Sequence, residues 1–493
     1  MAAPKRNADF QVGIVGAGFS GVVAALRLKQ SNLNSFVILE QAAAPGGTWR
    51  DNTYPGCACD VPSNLYSISN APNPNWSQAY SSQTEILDYL KRVIADHNLE
   101  PHIRYNSDVI QLEFLEREGF WRITNRAGKT VMVRSVILGM GPFSRPSWPK
   151  IPGLESFTGK RLHTARWDHS IDLSGKRVGI IGTGASAVQI VPEIVSSVAH
   201  LTVFQRSAAW IGDRMNREID SAKKEQYQRF PWLQALERNV LYWVMEARGN
   251  LFTGNKTIHN FFKSQSLRKL EREVPNPELR SKLTPNYEFG CKRILSSDDY
   301  LPCFGRENVT LETDAILEVT ATGIRTANAQ HEFDVLICAT GFEVASISND
   351  MKIIGLGGRE LLSEWRERGT MEAYKGSSVS GFPNLNFMLG PNTGLGHSSM
   401  ISIMEAQANY IMGYTQLLEQ NANAYLDVKL EIQREHNAQL QTQFVGTVWA
   451  SGCKSWYINS SGKNTTLYPR LVQAFRNRTR GVNPLEYELV KLS

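Results

Sequence analysis

Two glycine-rich turns carry the first chemistry that can be read from the sequence. One is Gly16-Ala17-Gly18-Phe19-Ser20-Gly21, followed 19 residues later by Glu40; the other is Gly182-Thr183-Gly184-Ala185-Ser186-Ala187, leading to Gln205, Arg206 and Ser207. In such a turn the first glycine makes the bend and the second lets the backbone approach a pyrophosphate. The third position allows close helix–strand packing, and the helix N-terminus offers unpaired N–H groups to the phosphates. Ala187 fills the third position of the second turn, a replacement this signature tolerates. A carboxylate such as Glu40 suits a bare ribose 2′-hydroxyl, whereas Arg206 with Ser207 suits a 2′-phosphate. The two turns together predict FAD at the first and NADPH at the second.

Three other stretches hold reactive residue types. Gly46-Gly47-Thr48-Trp49 runs on through Tyr54-Pro55-Gly56-Cys57-Ala58-Cys59 to Asp60, with Tyr66 six residues further. By itself this is a glycine-rich loop beside a cofactor. Phe157 to Asp168 contains Gly159, His163 and Trp167; alone, His163 reads as a structural, hydrogen-bonding histidine. Lys292-Arg293 reads alone as a basic pair on an exposed turn. Cys57 and Cys59 lack zinc spacing, and Cys291, Cys303, Cys338 and Cys453 are scattered. Six such cysteines make no disulfide framework and are expected to be reduced thiols.

The elements that must position these residues follow from the apolar pattern. Gln11–Val15 and Phe36–Glu40 read as strands around a helix over Val22–Lys29, a βαβ unit. Arg134–Gly141 reads as a strand running into a glycine turn, and Pro142, Pro146, Pro149 and Pro152 mark a linker. Lys176–Ile181, Ala187–Val195 and Leu201–Gln205 form a second βαβ unit. From Met215 to Arg280 the pattern is helical, with charged faces and aromatics, and Phe333–Ala339 returns to a strand. At 493 residues the chain exceeds one core. The expected fold is α/β, with two Rossmann-like dinucleotide-binding domains and a helical insertion in the second. The expected cuts are 1–142 and 344–493 for the FAD domain, 143–212 and 289–343 for the NADP domain, and 213–288 for the insertion. The net charge of +6 includes no run of five or six like charges, so no nucleic-acid partner is expected. Val12–Leu28 is apolar enough to imitate a signal-peptide core, but its glycines fall at nucleotide-loop spacing. No apolar run reaches about 18 residues, so no membrane span is expected.

The stretch from Gly46 to Asp60 fits GGxWxxxxYPGxxxD, and that from Phe157 to Asp168 fits FxGxxxHxxxW followed by proline or aspartate. In this pairing the chain resembles the type I Baeyer–Villiger monooxygenases over nearly its whole length. The resemblance implies an FAD-dependent, NADPH-consuming enzyme that inserts one oxygen atom of O2 beside a ketone carbonyl, through a flavin C4a-peroxide. It implies a catalytic Arg293 held by Asp60, and Lys292 assisting Arg206 at the 2′-phosphate. Trp456 would touch the nicotinamide ribose, and His163 and Trp167 would belong to the interdomain linker. The candidate FAD set is Gly16, Gly18, Phe19, Gly21, Glu40, Thr48, Trp49, Asp60, Tyr66 and Val109. The candidate NADP set is Ala58, Gly182, Thr183, Gly184, Ser186, Ala187, Gln205, Arg206, Ser207, Lys292 and Trp456. The expected partners are a small ketone and O2, in a cytoplasmic monomer or weak homodimer. The competing readings are a flavin monooxygenase oxidising nitrogen or sulfur, a disulfide reductase, and a nucleotide-binding regulator without catalysis.

Overall fold

A computed structural model describes residues 8–344, 351–452, 455–459 and 461–492. Two sheets organise it. In the first, Phe10–Val15 lies between Phe36–Leu39 and Thr130–Leu138, parallel to both. Phe36–Leu39 is buried along its whole length, as a strand covered on both faces must be. Ile103–Arg104 extends one edge, and an antiparallel meander through Val109–Leu115 and Phe120–Asn125 extends the other. Two late segments, Lys352–Ile354 and Leu385–Phe387, pair back into this sheet. The helix Phe19–Gln30 packs against Met400–Glu419, whose start is capped by the Ser399 hydroxyl accepting from the Ile401 N–H.

The second sheet is wholly parallel, in the order Val309–Glu312, His200–Phe204, Arg177–Ile181, Val335–Cys338, Lys160–His163. Each glycine turn leaves the C-terminal end of an inner strand, where open parallel sheets bind ligands. Gly16 and Gly182 adopt φ of +101° and +114°, a region that glycine enters without strain. A Cβ at Gly21 would lie 1.9 Å from the Gly16 carbonyl oxygen, so only glycine lets that helix close onto its strand.

The helices begin earlier than the sequence pattern indicates, at Phe19 and Ala185. In the second helix the apolar count starts only at Ala187, where the first turn enters the core. In the first helix Phe19, Ser20 and Gly21 are already buried, and the serine and glycine interrupt the apolar pattern. The insertion consists of Ser221–Arg229, Pro231–Gly249, Lys256–Glu273 and Pro277–Leu283. The meander Val109–Asn125 is not evident in the sequence; Val109 opens its first strand with its side chain in the core. The expectation of six reduced thiols fails: among the described residues Cys291 is disulfide-bonded, while Cys57, Cys59, Cys303 and Cys338 are free. Cys453 lies outside the described residues. Among the described residues no helix is long and apolar enough to cross a membrane.

Candidate active site

The Gly46–Asp60 loop is built onto the first sheet by backbone contact. The Gly46 N–H donates to the Ala17 carbonyl, and a Cβ at Gly47 would come within 3.2 Å of the Gly18 Cα. Glu40 is buried at the end of its strand. Its carboxylate accepts from the Ala17 N–H at 2.8 Å and the Ala42 N–H at 3.0 Å, and pairs with Arg50 at 2.9 Å. Thr48 opens a short helix that Trp49 anchors by donating its indole N–H to the Tyr66 hydroxyl at 3.0 Å. Phe19 packs edge-on against Tyr66. The helix Phe19–Gln30 has no side-chain cap at Gly18, which leaves its first N–H groups to a phosphate. The residues therefore fit a dinucleotide with an unphosphorylated ribose.

The second turn fits a phosphorylated one. Gly184 precedes Ala185–Ile194 with no side-chain cap, and nothing lies within 4 Å of the Cβ it lacks. Thr183 fastens the turn by donating its hydroxyl to the Ser207 carbonyl. Lys292 donates to the Ser207 hydroxyl at 3.1 Å. Burial, with Arg206 nearby, holds the Lys292 ammonium below the usual lysine range. Two cations side by side, with neither ion-paired to a carboxylate among the described residues, suit a dianion. Gln205 is buried, and its side-chain amide donates to the Lys282 carbonyl at 2.7 Å.

A clamp joins the two units. The Tyr54 hydroxyl donates to the Gln189 amide oxygen at 2.9 Å, and the Gln189 amide donates to the Ala58 carbonyl at 2.9 Å. Tyr54 also lies within hydrogen-bond reach of Ser186. His163 is 1% exposed at the end of its strand. Its Nδ1 accepts from the Ala165 N–H, and its ring lies 5.1 Å from that of Trp148 in the linker. Burial lowers its pKa, which favours the neutral ring. Trp167 packs on the core of the second unit. Trp456 is half exposed, 6.4 Å from Phe143 and 4.3 Å from Tyr457 between ring centres.

Between the units lies Asp60. Arg293 grips it with two nitrogens, Nε at 3.1 Å and Nη2 at 2.6 Å and 2.8 Å from the two carboxylate oxygens. Burial pushes the Asp60 carboxyl up, but the Arg293 charge and hydrogen bonds, with Arg214, hold it below the usual carboxylate range. Conversely Asp60 raises the Arg293 guanidinium above the ordinary arginine value, against burial. The side chains stay 40% and 27% exposed, so the fork is fixed on one side and open on the other.

Three residues here are not evident from the sequence. Arg214 donates to the Cys59 carbonyl at 3.1 Å and lies over the Tyr80 ring. Arg248 comes from the insertion, lies over the Phe262 ring, and is held below its ordinary value by burial despite Tyr80 and Asp60 nearby. Tyr457 is buried beside Arg293, with its hydroxyl pushed up to about 12 by that burial. Three guanidiniums thus surround one carboxylate. Such a site stabilises negative charge rather than creating a base.

Cys57 and Cys59 do not form a redox pair. Both are free, and burial pushes the Cys57 thiol up to about 11 and the Cys59 thiol higher. A reactive cysteine needs the opposite shift.

Comparison with known proteins agrees with this geometry. Residues 13–230 match a family model described as pyridine nucleotide-disulphide oxidoreductase. A Baeyer-Villiger monooxygenase of Streptomyces coelicolor is 41% identical over 484 residues, covering 98% of this chain and 93% of that protein. One of Pseudomonas aeruginosa is 41% identical over 489 residues, covering 99% and 92%. Among solved structures, OTEMO in complex with FAD and NADP superposes with a TM-score of 0.87 at 26% identity, covering 98% of this chain and all of that one. Cyclohexanone monooxygenase from Rhodococcus sp. Phi1 bound to NADP+ gives 0.85 at 28% identity, covering 98% and 99%.

Proposed function

The chain belongs to the type I Baeyer–Villiger monooxygenases, and from that membership we propose a role for each part of the site. The enzyme uses FAD and NADPH to insert one oxygen atom of O2 beside a ketone carbonyl, giving an ester or lactone. The flavin, when bound, supplies the electron transfer and oxygen activation that no side chain can. Gly16, Gly18, Gly21 and Glu40 hold its pyrophosphate and ribose, and Phe19, Thr48, Trp49, Asp60, Tyr66 and Val109 shape its surroundings. The NADP set is Ala58, Gly182, Thr183, Gly184, Ser186, Ala187, Gln205, Arg206, Ser207, Lys292 and Trp456. His163 and Trp167 couple the motion of the two units. We keep the domain cuts at 142, 212, 288 and 343, and place the protein in the cytoplasm as a monomer or weak homodimer.

The observation that carries the reading is the two-pronged Asp60–Arg293 pair. Nucleophilic addition at the ketone carbon would build negative charge on the carbonyl oxygen beside this pair. Arg293 supplies a permanent charge and directed donors for it. Asp60 keeps the guanidinium plane from rotating. The buried thiols oppose disulfide chemistry.

Product analysis tests the reaction. The FAD-loaded protein, given NADPH, 18O2 and a panel of cyclic, linear and aromatic ketones, is expected to yield esters or lactones carrying one labelled oxygen. Oxidation of a thioether with no ester from any ketone would establish the sulfur-oxidising alternative instead. The coenzyme site has its own test. A hydrogen bond to a charged group contributes about 1.5–3 kcal/mol, and about 1.4 kcal/mol is tenfold in affinity. Arg206→Ala with Lys292→Ala is thus expected to raise the KM for NADPH on the order of 10²-fold. The KM for NADH should move little, and an equal rise for both coenzymes would remove these residues from the 2′-phosphate.

A further inference from the structure

The helix Pro231–Gly249 is built inside out. Its exposed positions are Pro231, Trp232, Ala235, Leu236, Asn239, Val240, Trp243, Val244 and Ala247, and none carries a charge. Five are large and apolar, with Trp232 62%, Trp243 59% and Leu236, Val240 and Val244 each more than 50% exposed. They recur at the spacing of one helix face. The charged residues point the other way: Glu237 is bonded to the Tyr227 hydroxyl, Arg238 to Glu405, Glu246 to His397, and Arg248 lies over Phe262. Phe230 before this helix and Phe261 on Lys256–Glu273 are also exposed. Among the described residues nothing covers this face. A contiguous apolar stripe of this kind marks a surface that meets something.

The charge around it selects the occupant. Residues 221–272 contain ten Lys and Arg against four Asp and Glu, which accounts for the entire +6 of the chain. Arg229, Lys256 and Arg268 are exposed within this segment, and Arg272 is exposed but paired with Asp213 and Glu273. Two copies meeting through this face would oppose like charges. An anionic lipid surface would attract them, and tryptophan prefers the membrane–water boundary. We propose that the outer face of Pro231–Gly249 docks the protein on an anionic bilayer surface, lying in the interface without crossing it. The docking is independent of the reaction, and its failure would leave ester formation in solution untouched.

Vesicle flotation tests it with the full-length, FAD-loaded protein. Vesicles of phosphatidylcholine are compared with vesicles in which a quarter of the lipid is phosphatidylglycerol. The protein is expected to float with the second kind only, to be released by high salt, and to show blue-shifted tryptophan emission when bound. Trp232→Ser with Trp243→Ser, and separately Leu236→Glu, should abolish flotation while oxidation of a water-soluble ketone stays normal. Because two different variants share that readout, misfolding of one leaves the other informative. Absence of flotation with anionic vesicles, or flotation undiminished in both active variants, overturns the proposal. So does a solution dimer of the unaltered protein, unable to float, that both variants convert to monomer, since the face then belongs to a second copy.

Discussion

Arg293→Ala is expected to consume NADPH yet release no ester. The substitution removes the donor that faces the open side of the Asp60 pair, while it leaves Arg206 and Lys292 in place at the proposed 2′-phosphate site. Loss of one preorganised donor at a developing oxyanion typically costs about 10²–10³ in rate. The loss should fall on ester formation, with the KM for NADPH changed little. Arg293→Lys separates charge from geometry: an ammonium keeps the charge but cannot form the fork that binds both carboxylate oxygens. Partial activity, between the Ala variant and the unaltered protein, is expected from it. Ester yield per NADPH, measured alongside total NADPH oxidation, decides the matter. Ester release at the normal rate from Arg293→Ala would end the assignment.

The glycine turns were legible because their constraint is local. Gly16 and Gly182 need positive φ, and Gly21 needs the absence of a Cβ, so residue type alone betrays them. The Asp60–Arg293 pair is a different case. Its partners lie 233 residues apart, and no periodicity connects a loop acid with a basic pair that reads as an exposed turn. Only the family resemblance of the flanking motif pointed to it. Arg214 and Arg248 gave no signal at all, because an arginine beside a loop and one on an amphipathic helix look like surface charges. For the insertion the sequence was misleading in sign. Its charged residues suggest solvated faces and its aromatics a core, whereas in Pro231–Gly249 the charges turn inward and Trp232 and Trp243 turn outward. Which side of a helix is covered depends on what packs against it, and here the inner side meets polar partners from distant segments.

The strongest of those partners defines the largest expected loss of stability. Glu246 is 3% exposed, and its carboxylate accepts from His397 Nε2 at 3.1 Å, the Val472 N–H at 3.0 Å and the Gln473 N–H at 2.9 Å. One side chain of the insertion thus holds the loop at His397 and the start of the helix Val472–Arg478. Glu246→Ala would strand three donors in the interior, each losing the carboxylate that accepts from it. Breaking such a buried set by deleting one member costs about 3–5 kcal/mol, to be read as a lower urea midpoint. Glu246→Gln keeps the shape but not the charge and should lose less. The effect should also depend on pH. Burial raises the Glu246 carboxyl, but His397 and the two backbone N–H groups outweigh it and hold it below the ordinary glutamate value. A carboxyl depressed by folding adds stability above its unfolded value, about 4.3, and loses it as pH falls through the lower folded value. The gap between the unaltered protein and Glu246→Ala should therefore be widest near neutrality and narrow on acidification below that unfolded value. A gap that persists unchanged in acid would assign the loss to packing, and equal urea midpoints at neutral pH would show that Glu246 holds nothing together.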